Sequence, residues 1–180
     1  DGVGWVHSAR AEGCDPTGKA IVQLGAGGAG TAILVQAALD GAKSIAVFNM
    51  RDAFWPRVEA LVQRLNQETD CCVTLHELTD TDTLQKELQK AQILLNTTPV
   101  GMKNHPGCLI PRADWLHPGL TVSDVIYEPR ETELLRMARA AGLQAFNGLH
   151  MLLYQGAESF RLWTGCEMPV EQIRAEYFAE

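Results

Sequence analysis

The stretch Gly25-Ala26-Gly27-Gly28-Ala29-Gly30 decides the fold class of this chain. It follows the apolar run 19–24, which predicts a buried strand, and precedes the Ala- and Leu-rich period 31–39, which predicts a helix. Glycines spaced GxGxxG between a strand and a helix are typical of a loop whose backbone amides approach a pyrophosphate at the start of the helix. A tight strand–helix turn without any ligand is the alternative interpretation.

The same alternation of strand and helix continues on both sides of the glycine loop. Further strands are predicted at residues 44–48, 72–75, 93–95, 120–126 and 144–146. Helices are predicted between the strands, near the start of the chain, and at residues 151–163 and 170–178. Strands that alternate with helices form right-handed βαβ units around a parallel sheet. We therefore expect an α/β fold, a doubly wound parallel sheet of Rossmann type with flanking N- and C-terminal helices, forming one dinucleotide-binding domain over residues 1–180.

Composition narrows the function classes. The 180 residues fit one domain of about 150 residues. The chain has a net charge of -7 and no cluster of Lys and Arg, whereas a nucleic-acid-binding protein usually presents a basic surface. No run of about 18 apolar residues indicates a membrane span. The five cysteines show no CxxC spacing, which argues against a disulfide scaffold and a metal site. We expect a cytoplasmic protein without a metal, nucleic-acid or membrane partner.

The end of the second predicted strand should select the cofactor. An acidic residue there hydrogen-bonds the ribose hydroxyls of NAD, whereas an arginine takes the 2′-phosphate of NADP. The strand ends in Asn49-Met50-Arg51-Asp52, so both types are present and the preference stays open at this point. Asp52 is also placed to cap the next helix, and the two roles are compatible.

Four further motifs accompany the glycine loop. They are Asp1-Gly2-Val3-Gly4, Asn96-Thr97-Thr98-Pro99-Val100-Gly101-Met102, Asp124-Val125-Ile126-Tyr127-Glu128-Pro129 and Gly148-Leu149-His150-Met151-Leu152-Leu153-Tyr154-Gln155-Gly156-Ala157. In this order, and together with the loop, they resemble the shikimate dehydrogenase family over essentially the whole chain. The segment Phe48-Asn49-Met50-Arg51-Asp52-Ala53-Phe54 resembles its quinate/shikimate dehydrogenase branch.

The resemblance implies an oxidoreductase of aromatic amino acid biosynthesis. Family members transfer a hydride reversibly between NAD(P) and the ring hydroxyl of shikimate or quinate, which are cyclic polyol acids. They carry an N-terminal substrate-binding domain of about a hundred residues before the cofactor domain. This chain resembles the cofactor domain alone, so we expect a fragment that lacks the N-terminal domain.

The resemblance also assigns roles to residues. Asp1 matches the catalytic acidic residue that works beside a lysine, Gln155 matches a glutamine that reaches a substrate hydroxyl, and Tyr127 lies in a segment near both ligands. The cofactor-binding candidates are Ala26, Gly27, Gly28, Ala29, Asn49, Arg51, Asp52, Thr98, Val125, Ile126, Tyr127, Gly148 and Met151. Simpler interpretations stay open: Met151 as core, Tyr127 as a strand-end aromatic, and Thr98 as a turn residue that bonds the backbone.

Two departures from the family pattern matter. No lysine of this chain fits the catalytic lysine of the family, so we expect the 180 residues alone to bind dinucleotide without turnover. Met50 stands where relatives that use NADP often have arginine, so we expect NAD to be preferred over NADP. The alternatives are a dinucleotide-binding module without catalysis and a related oxidoreductase with another substrate. The sequence leaves the oligomeric state open, with a homodimer among the alternatives.

Overall fold

Six parallel strands form one sheet in the computed structural model, which describes residues 1–178. The strands are β1 (Ala20–Leu24), β2 (Ser44–Asn49), β3 (Cys72–Glu77), β4 (Ile93–Asn96), β5 (Thr121–Asp124) and β6 (Ala145–Phe146). Their order across the sheet is β3-β2-β1-β4-β5-β6. The predicted Rossmann-type fold is therefore confirmed.

Helices cover both faces of this sheet. They are α1 (Gly2–Ala11), α2 (Gly28–Leu39), α3 (Trp55–Glu68), α4 (Thr81–Leu88), α5 (Glu133–Ala140), α6 (Leu149–Thr164) and α7 (Val170–Tyr177). All the predicted helices are present, including the N-terminal helix and the two C-terminal ones. Within residues 1–178, no helix is both long and apolar enough to cross a membrane.

Successive residues of the central strands enter two separate hydrophobic clusters. Ile21 joins the cluster under α1, α2 and α3, whereas the next residue, Val22, joins the cluster under α4 and α5. This follows from the two-residue period of a strand, which directs neighbouring side chains to opposite faces. Because both faces are covered, β1 and β4 are mostly apolar rather than alternating, with Gln23 and Asn96 as their polar residues.

Most predicted boundaries are met within two residues, and the differences at α2 and β5 have a clear local cause. Helix α2 begins at Gly28 rather than near residue 31, because the second half of the glycine loop already forms its first turn. Strand β5 ends at Asp124 rather than at residue 126. The Ile126 amide donates to the Asp124 carboxylate at 3.1 Å, and this local turn takes the chain out of the sheet.

Helix α1 is fixed to the sheet by its tryptophan. Trp5 is fully buried, and its Nε1 donates to the Ser123 hydroxyl on β5 at 3.0 Å. A buried indole of this size contributes a large apolar area and needs a partner for its N–H group, and both conditions are met here. The start of the chain is thereby held at the same edge of the sheet as the loops that follow β4 and β5.

Candidate functional site

The strand order reverses between β1 and β4, and the loops after these strands diverge there. Strand β1 pairs with β2 on one side and with β4 on the other. From β1 the chain first adds β2 and β3 on one side of the sheet, and then adds β4, β5 and β6 on the opposite side. In open α/β sheets, ligands bind at the carboxyl ends of the strands, at this reversal of order. The glycine loop after β1 therefore stands at the position where the fold itself favours a ligand.

Buried polar side chains hold the glycine loop in place. Gly25 adopts φ = 89°, a left-handed conformation that favours glycine. The buried Gln23 side chain donates from Nε2 to the carbonyls of Gly25 and Gly30, both at 2.9 Å. The Thr97 hydroxyl at the end of β4 lies 2.9 Å from the Gly25 carbonyl. Contacts within the protein alone therefore hold the glycine loop in position.

Gly27 and Gly28 are glycines for a different reason. Both have negative φ, are exposed, and have no atom within 4 Å of where a Cβ would lie. Neither the backbone conformation nor packing against protein requires glycine at these positions. The open space lies at the N-terminus of α2, where free amides and the helix dipole favour an anion. The two glycines therefore fit a loop that a dinucleotide pyrophosphate approaches closely.

A cleft of about 280 Å³ opens beside the glycine loop. Its lining residues come from the loop, the start of α2, the end of β2 and the start of α3: Ala26, Gly27, Gly28, Thr31, Asn49, Asp52, Phe54, Arg57 and Val58. Five of the predicted cofactor residues are thus brought together. Ala29, one residue further along α2, is partly buried and packs against the core.

The end of β2 divides its three candidate residues between different roles. The Ala26 amide donates to Asn49 Oδ1 at 3.0 Å, so Asn49 supports the glycine loop. Asp52 lines the cleft and also accepts a hydrogen bond from the Phe54 amide at 2.8 Å. Helix α3 begins after this turn, with Phe54 at the N-cap, so the prediction that Asp52 is the cap residue is wrong by two positions.

Arg51 does not line this cleft. Its guanidinium pairs with the Glu77 carboxylate at the end of β3, and it lies over the Trp55 ring. Among the described residues that line the cleft, Arg57 is the one cation. Arg57 is not among the predicted site residues, because it lies inside the helical pattern of α3, five residues beyond Asp52.

On the other side of the strand-order reversal, a buried carboxylate joins three segments. Asp124 is fully buried and accepts hydrogen bonds from Asn96 Nδ2 at 3.0 Å, from the Ile126 amide and from the Thr132 hydroxyl at 2.8 Å. Desolvation raises the pKa of Asp124 to about 6, although these three donors act in the opposite direction. The group therefore fixes the ends of β4 and β5 and the start of α5 relative to one another.

Thr98 belongs to the same network. Its amide and its hydroxyl both donate to Asn96 Oδ1, at 3.1 Å and 2.7 Å. The Val100 amide in turn donates to the Thr98 hydroxyl at 3.2 Å. The interpretation of Thr98 as a turn residue that bonds the backbone is thus seen in the structure, and a role toward a cofactor stays a prediction.

The loops after β5 and β6 meet at Gly148. A Cβ on Gly148 would lie 1.9 Å from the Val125 carbonyl oxygen, so the two backbones are in direct contact. The Gly148 amide also donates to the Ile126 carbonyl at 3.1 Å. Tyr127, the next residue, is exposed, while Met151 is buried in the core. Val125, Ile126 and Gly148 are therefore held together by direct backbone contact, and Met151 lies in the core.

The two substrate candidates are carried by neighbouring helices, Asp1 as the N-cap of α1 and Gln155 within α6. Asp1 is exposed and precedes α1, and Gln155 is partly buried on α6. These helices cross closely, because a Cβ on Gly4 would lie 2.9 Å from both the Gln155 amide nitrogen and the Met151 carbonyl oxygen. Within residues 1–178, no cluster of three His, Cys, Asp or Glu side chains could hold a metal ion.

The fold, together with the glycine loop and cleft at the carboxyl ends of the strands, defines a Rossmann-type dinucleotide-binding domain. Comparisons with known proteins make the class more specific. Residues 148–176 match the model of the shikimate 5'-dehydrogenase C-terminal domain. The chain is 46% identical over 179 residues to a shikimate dehydrogenase (NADP(+)) of Listeria monocytogenes, and 45% identical over 175 residues to a quinate/shikimate dehydrogenase of Escherichia coli.

Among solved structures, the chain resembles the shikimate 5-dehydrogenase of Listeria monocytogenes in complex with shikimate and NAD. The TM-score is 0.93 and the identity 45%, over 97% of this chain and 61% of that one. The two curated relatives are covered over 62% and 61% of their lengths, against 99% and 97% of this chain. The chain belongs to the shikimate dehydrogenase family, as its C-terminal NAD(P)-binding domain portion.

Proposed function

We propose that the chain is the cofactor-binding part of a shikimate or quinate dehydrogenase. Such an enzyme transfers a hydride reversibly between NAD(P) and the ring hydroxyl of a cyclic polyol acid. The observation that carries this proposal is the open space above Gly27 and Gly28, at the N-terminus of α2 and at the reversal of strand order. The family membership supports the choice of substrate class, and it leaves shikimate and quinate as equal alternatives.

The chain's residues fit a bound dinucleotide in three places. The amides at the start of α2 would hold the pyrophosphate, and the carboxylate of Asp52 would accept hydrogen bonds from the adenosine ribose. The joined backbones of Val125, Ile126 and Gly148 would form the surface for the nicotinamide. When bound, the cofactor supplies the hydride chemistry, and the protein orients it.

We propose further that NAD is preferred over NADP. A carboxylate at Asp52 suits the free ribose hydroxyls of NAD and repels a 2′-phosphate. Met50 is exposed and has no charge, and Arg51 is paired with Glu77 outside the cleft. Arg57 acts in the opposite direction, because it brings into the cleft a positive charge that would attract the 2′-phosphate of NADP. Titration with both cofactors measures the balance, and tighter binding of NADP would contradict the preference.

At the substrate side, the chain supplies Asp1, Gln155 and Tyr127. Oxidation of an alcohol requires that its proton leaves as the hydride departs. A carboxylate such as Asp1 would hold a neighbouring ammonium in its charged form, and the Gln155 amide would give directional contacts to a polyol. None of the five lysines of this sequence fits the family's catalytic motif. We propose that a lysine from outside these 180 residues completes the pair.

The test separates binding from turnover. The 180-residue chain is mixed with NAD or NADP, and binding is measured by calorimetry. Shikimate or quinate is then added while the nicotinamide absorbance is followed. We expect binding without turnover, and turnover at the rate of an enzyme would contradict the proposed division of labour. Failure of both cofactors to bind would contradict the proposed function itself.

A pair of glycine variants checks where the dinucleotide binds. In Gly27→Val the added Cβ has no protein atom within 4 Å and the side chain fills the open space over the glycine loop, so we expect binding at least about tenfold weaker with little loss of stability. Gly156→Ala is the matched control, because Gly156 also has open space around it and lies on α6, away from the cleft. Equal binding by both variants would place the cofactor elsewhere.

A further inference from the structure

Arg51 sits at the end of β2 but faces the next strand instead of the cleft. Its Nη1 lies 2.5 Å from Glu77 Oε1, and its guanidinium carbon lies 5.3 Å from the centre of the Trp55 ring. These three residues line a hollow beside β3, whereas Asn49 and Asp52 line the cleft over the glycine loop. Arg51 is therefore close in sequence to the ribose-binding candidates Asn49 and Asp52, but its guanidinium pairs with Glu77 and Trp55 instead.

The strand register explains this arrangement. Asn49 and Glu77 are direct partners at the ends of the parallel strands β2 and β3. A residue two positions beyond Asn49 therefore emerges beside the Glu77 side chain. Glu77 supplies both a hydrogen bond and an opposite charge, which raise the pKa of Arg51. The face of Trp55 gives the guanidinium a second favourable contact on the same side.

We infer that Glu77 is a specificity-determining residue that holds Arg51 outside the cleft and thereby disfavours a cofactor with a phosphate on its adenosine ribose. The inference rests on the proposed function and adds a residue that contacts neither the glycine loop nor the cleft. Two effects act in the same direction: Arg51 is occupied, and the Glu77 carboxylate repels a phosphate dianion. Arg51 is largely exposed and Glu77 partly exposed, so the effect on affinity is modest, about three- to tenfold.

The variant Glu77→Gln tests this directly. It keeps the size of the side chain and removes the charge that pairs with Arg51. The 180-residue chain is titrated with NAD and NADP, and with AMP and adenosine 2′,5′-bisphosphate, which report on the adenosine end alone. We expect NADP and the bisphosphate to bind about three- to tenfold more tightly than to the unmodified chain, with NAD and AMP changed less than about twofold.

Two further variants identify the cause. Glu68→Gln removes the charge of an exposed glutamate that pairs with Arg64 on α3, so it controls for a general change in net charge. The double variant Arg51→Gln/Glu77→Gln should lose the part of the gain in NADP affinity that comes from the released cation and keep only the part that comes from the lost repulsion by Glu77. Retention of the full gain in the double variant would overturn the role of Arg51.

The outcomes also separate this inference from the proposed function. If the unmodified chain binds NAD and the NADP-to-NAD affinity ratio is the same in Glu77→Gln, the role of Glu77 is overturned while the proposed function stands. If the unmodified chain binds neither dinucleotide, the proposed function fails and the role of Glu77 fails with it. An equal gain in Glu68→Gln would assign the change to net charge and overturn the specific role of Glu77.

Discussion

The two sides of the strand-order reversal are built on different physical principles. On the β2–β3 side, which carries Arg51, Asp52 and Arg57, the charged side chains are exposed and make few contacts. On the β4–β5 side, which carries Asp124 and Gly148, the polar groups are buried and hydrogen-bonded, and backbones touch without space for a methyl group. The β2–β3 side can therefore discriminate between ligands by charge and should tolerate substitution. The β4–β5 side holds its backbone segments in one arrangement and should be sensitive to small changes in side-chain volume or hydrogen bonding.

The largest effect should follow a methyl group added on the β4–β5 side. In Gly148→Ala the Cβ would lie 1.9 Å from the Val125 carbonyl oxygen, so the two backbones must separate. Overpacking of this kind typically costs about 1–3 kcal/mol, and we expect the upper end or beyond because backbone rather than a side chain must move. Urea denaturation measures the free energy of unfolding.

Gly156→Ala is the matched control for this prediction. It adds the same methyl group on an exposed face of α6 where no atom lies within 4 Å. Alanine is the better helix former by about 0.5–1 kcal/mol, so this variant should be slightly more stable than the unmodified chain. If Gly148→Ala proved as stable as Gly156→Ala, the β4–β5 side would not be rigid.

The second effect concerns the charge of Asp124. Its pKa is about 6 when folded, against an ordinary value of 3.8, so the folded chain holds the proton more tightly than the unfolded chain. Its contribution to stability is therefore complete below pH 3.8 and is lost as the pH rises through about 6. Relative to Asp124→Asn, the unmodified chain should lose on the order of 3 kcal/mol between about pH 4 and pH 7.

The comparison of the two proteins isolates this group, because every other titrating residue is common to both. Unfolding free energies are measured by urea denaturation across the pH range. Asp70→Asn, which changes an exposed carboxyl group, should follow the unmodified chain at each pH. Parallel pH profiles for the unmodified chain and Asp124→Asn would show that Asp124 ionises normally, and the β4–β5 side would then be less desolvated than its burial indicates.

The same contrast explains what the sequence could predict. The strands, helices and glycine loop follow from the apolar periods of 2 and 3.6 residues and from one glycine pattern, and each predicted element is present with its ends shifted by at most about three residues. Gln23 was assigned only to a buried strand, because a single amide in an apolar run does not reveal that it bonds the carbonyls of Gly25 and Gly30. Its partners are set by the turn that follows, which periodicity does not describe.

Residues that act across the sheet were the hardest to predict. Glu77 and Arg51 lie 26 positions apart, and their pairing depends on the register of β2 and β3. Asp124 lies within one of the sequence motifs, yet its burial and its bonds to Asn96 and Thr132 depend on the arrangement of three segments. Sequence patterns identify local geometry, whereas pairings of this kind arise only when the strands are assembled.

An intermediate effect is expected between the two sides, at Gln23 beneath the glycine loop. Gln23→Met keeps the volume and removes two buried hydrogen bonds, leaving the carbonyls of Gly25 and Gly30 without this donor. We expect a loss of about 1–3 kcal/mol in unfolding free energy, together with weaker dinucleotide binding as the loop loosens. Urea denaturation and calorimetric titration measure the two. A loss of stability with unchanged dinucleotide affinity would show that the loop keeps its shape without the amide.

The smallest effect on stability, with a measurable effect on binding, is expected on the β2–β3 side. Arg57→Gln removes the cation that lines the cleft from an exposed position on α3, so the unfolding free energy should change by less than about 0.5 kcal/mol. NADP has one more phosphate than NAD, so its affinity should fall about threefold more than that of NAD. Arg64→Gln, on the same helix and paired with Glu68, should change neither affinity. If Arg57→Gln instead destabilised the chain as much as Gln23→Met, the β2–β3 side would also be a packed structural element, and the contrast between the two sides would not hold.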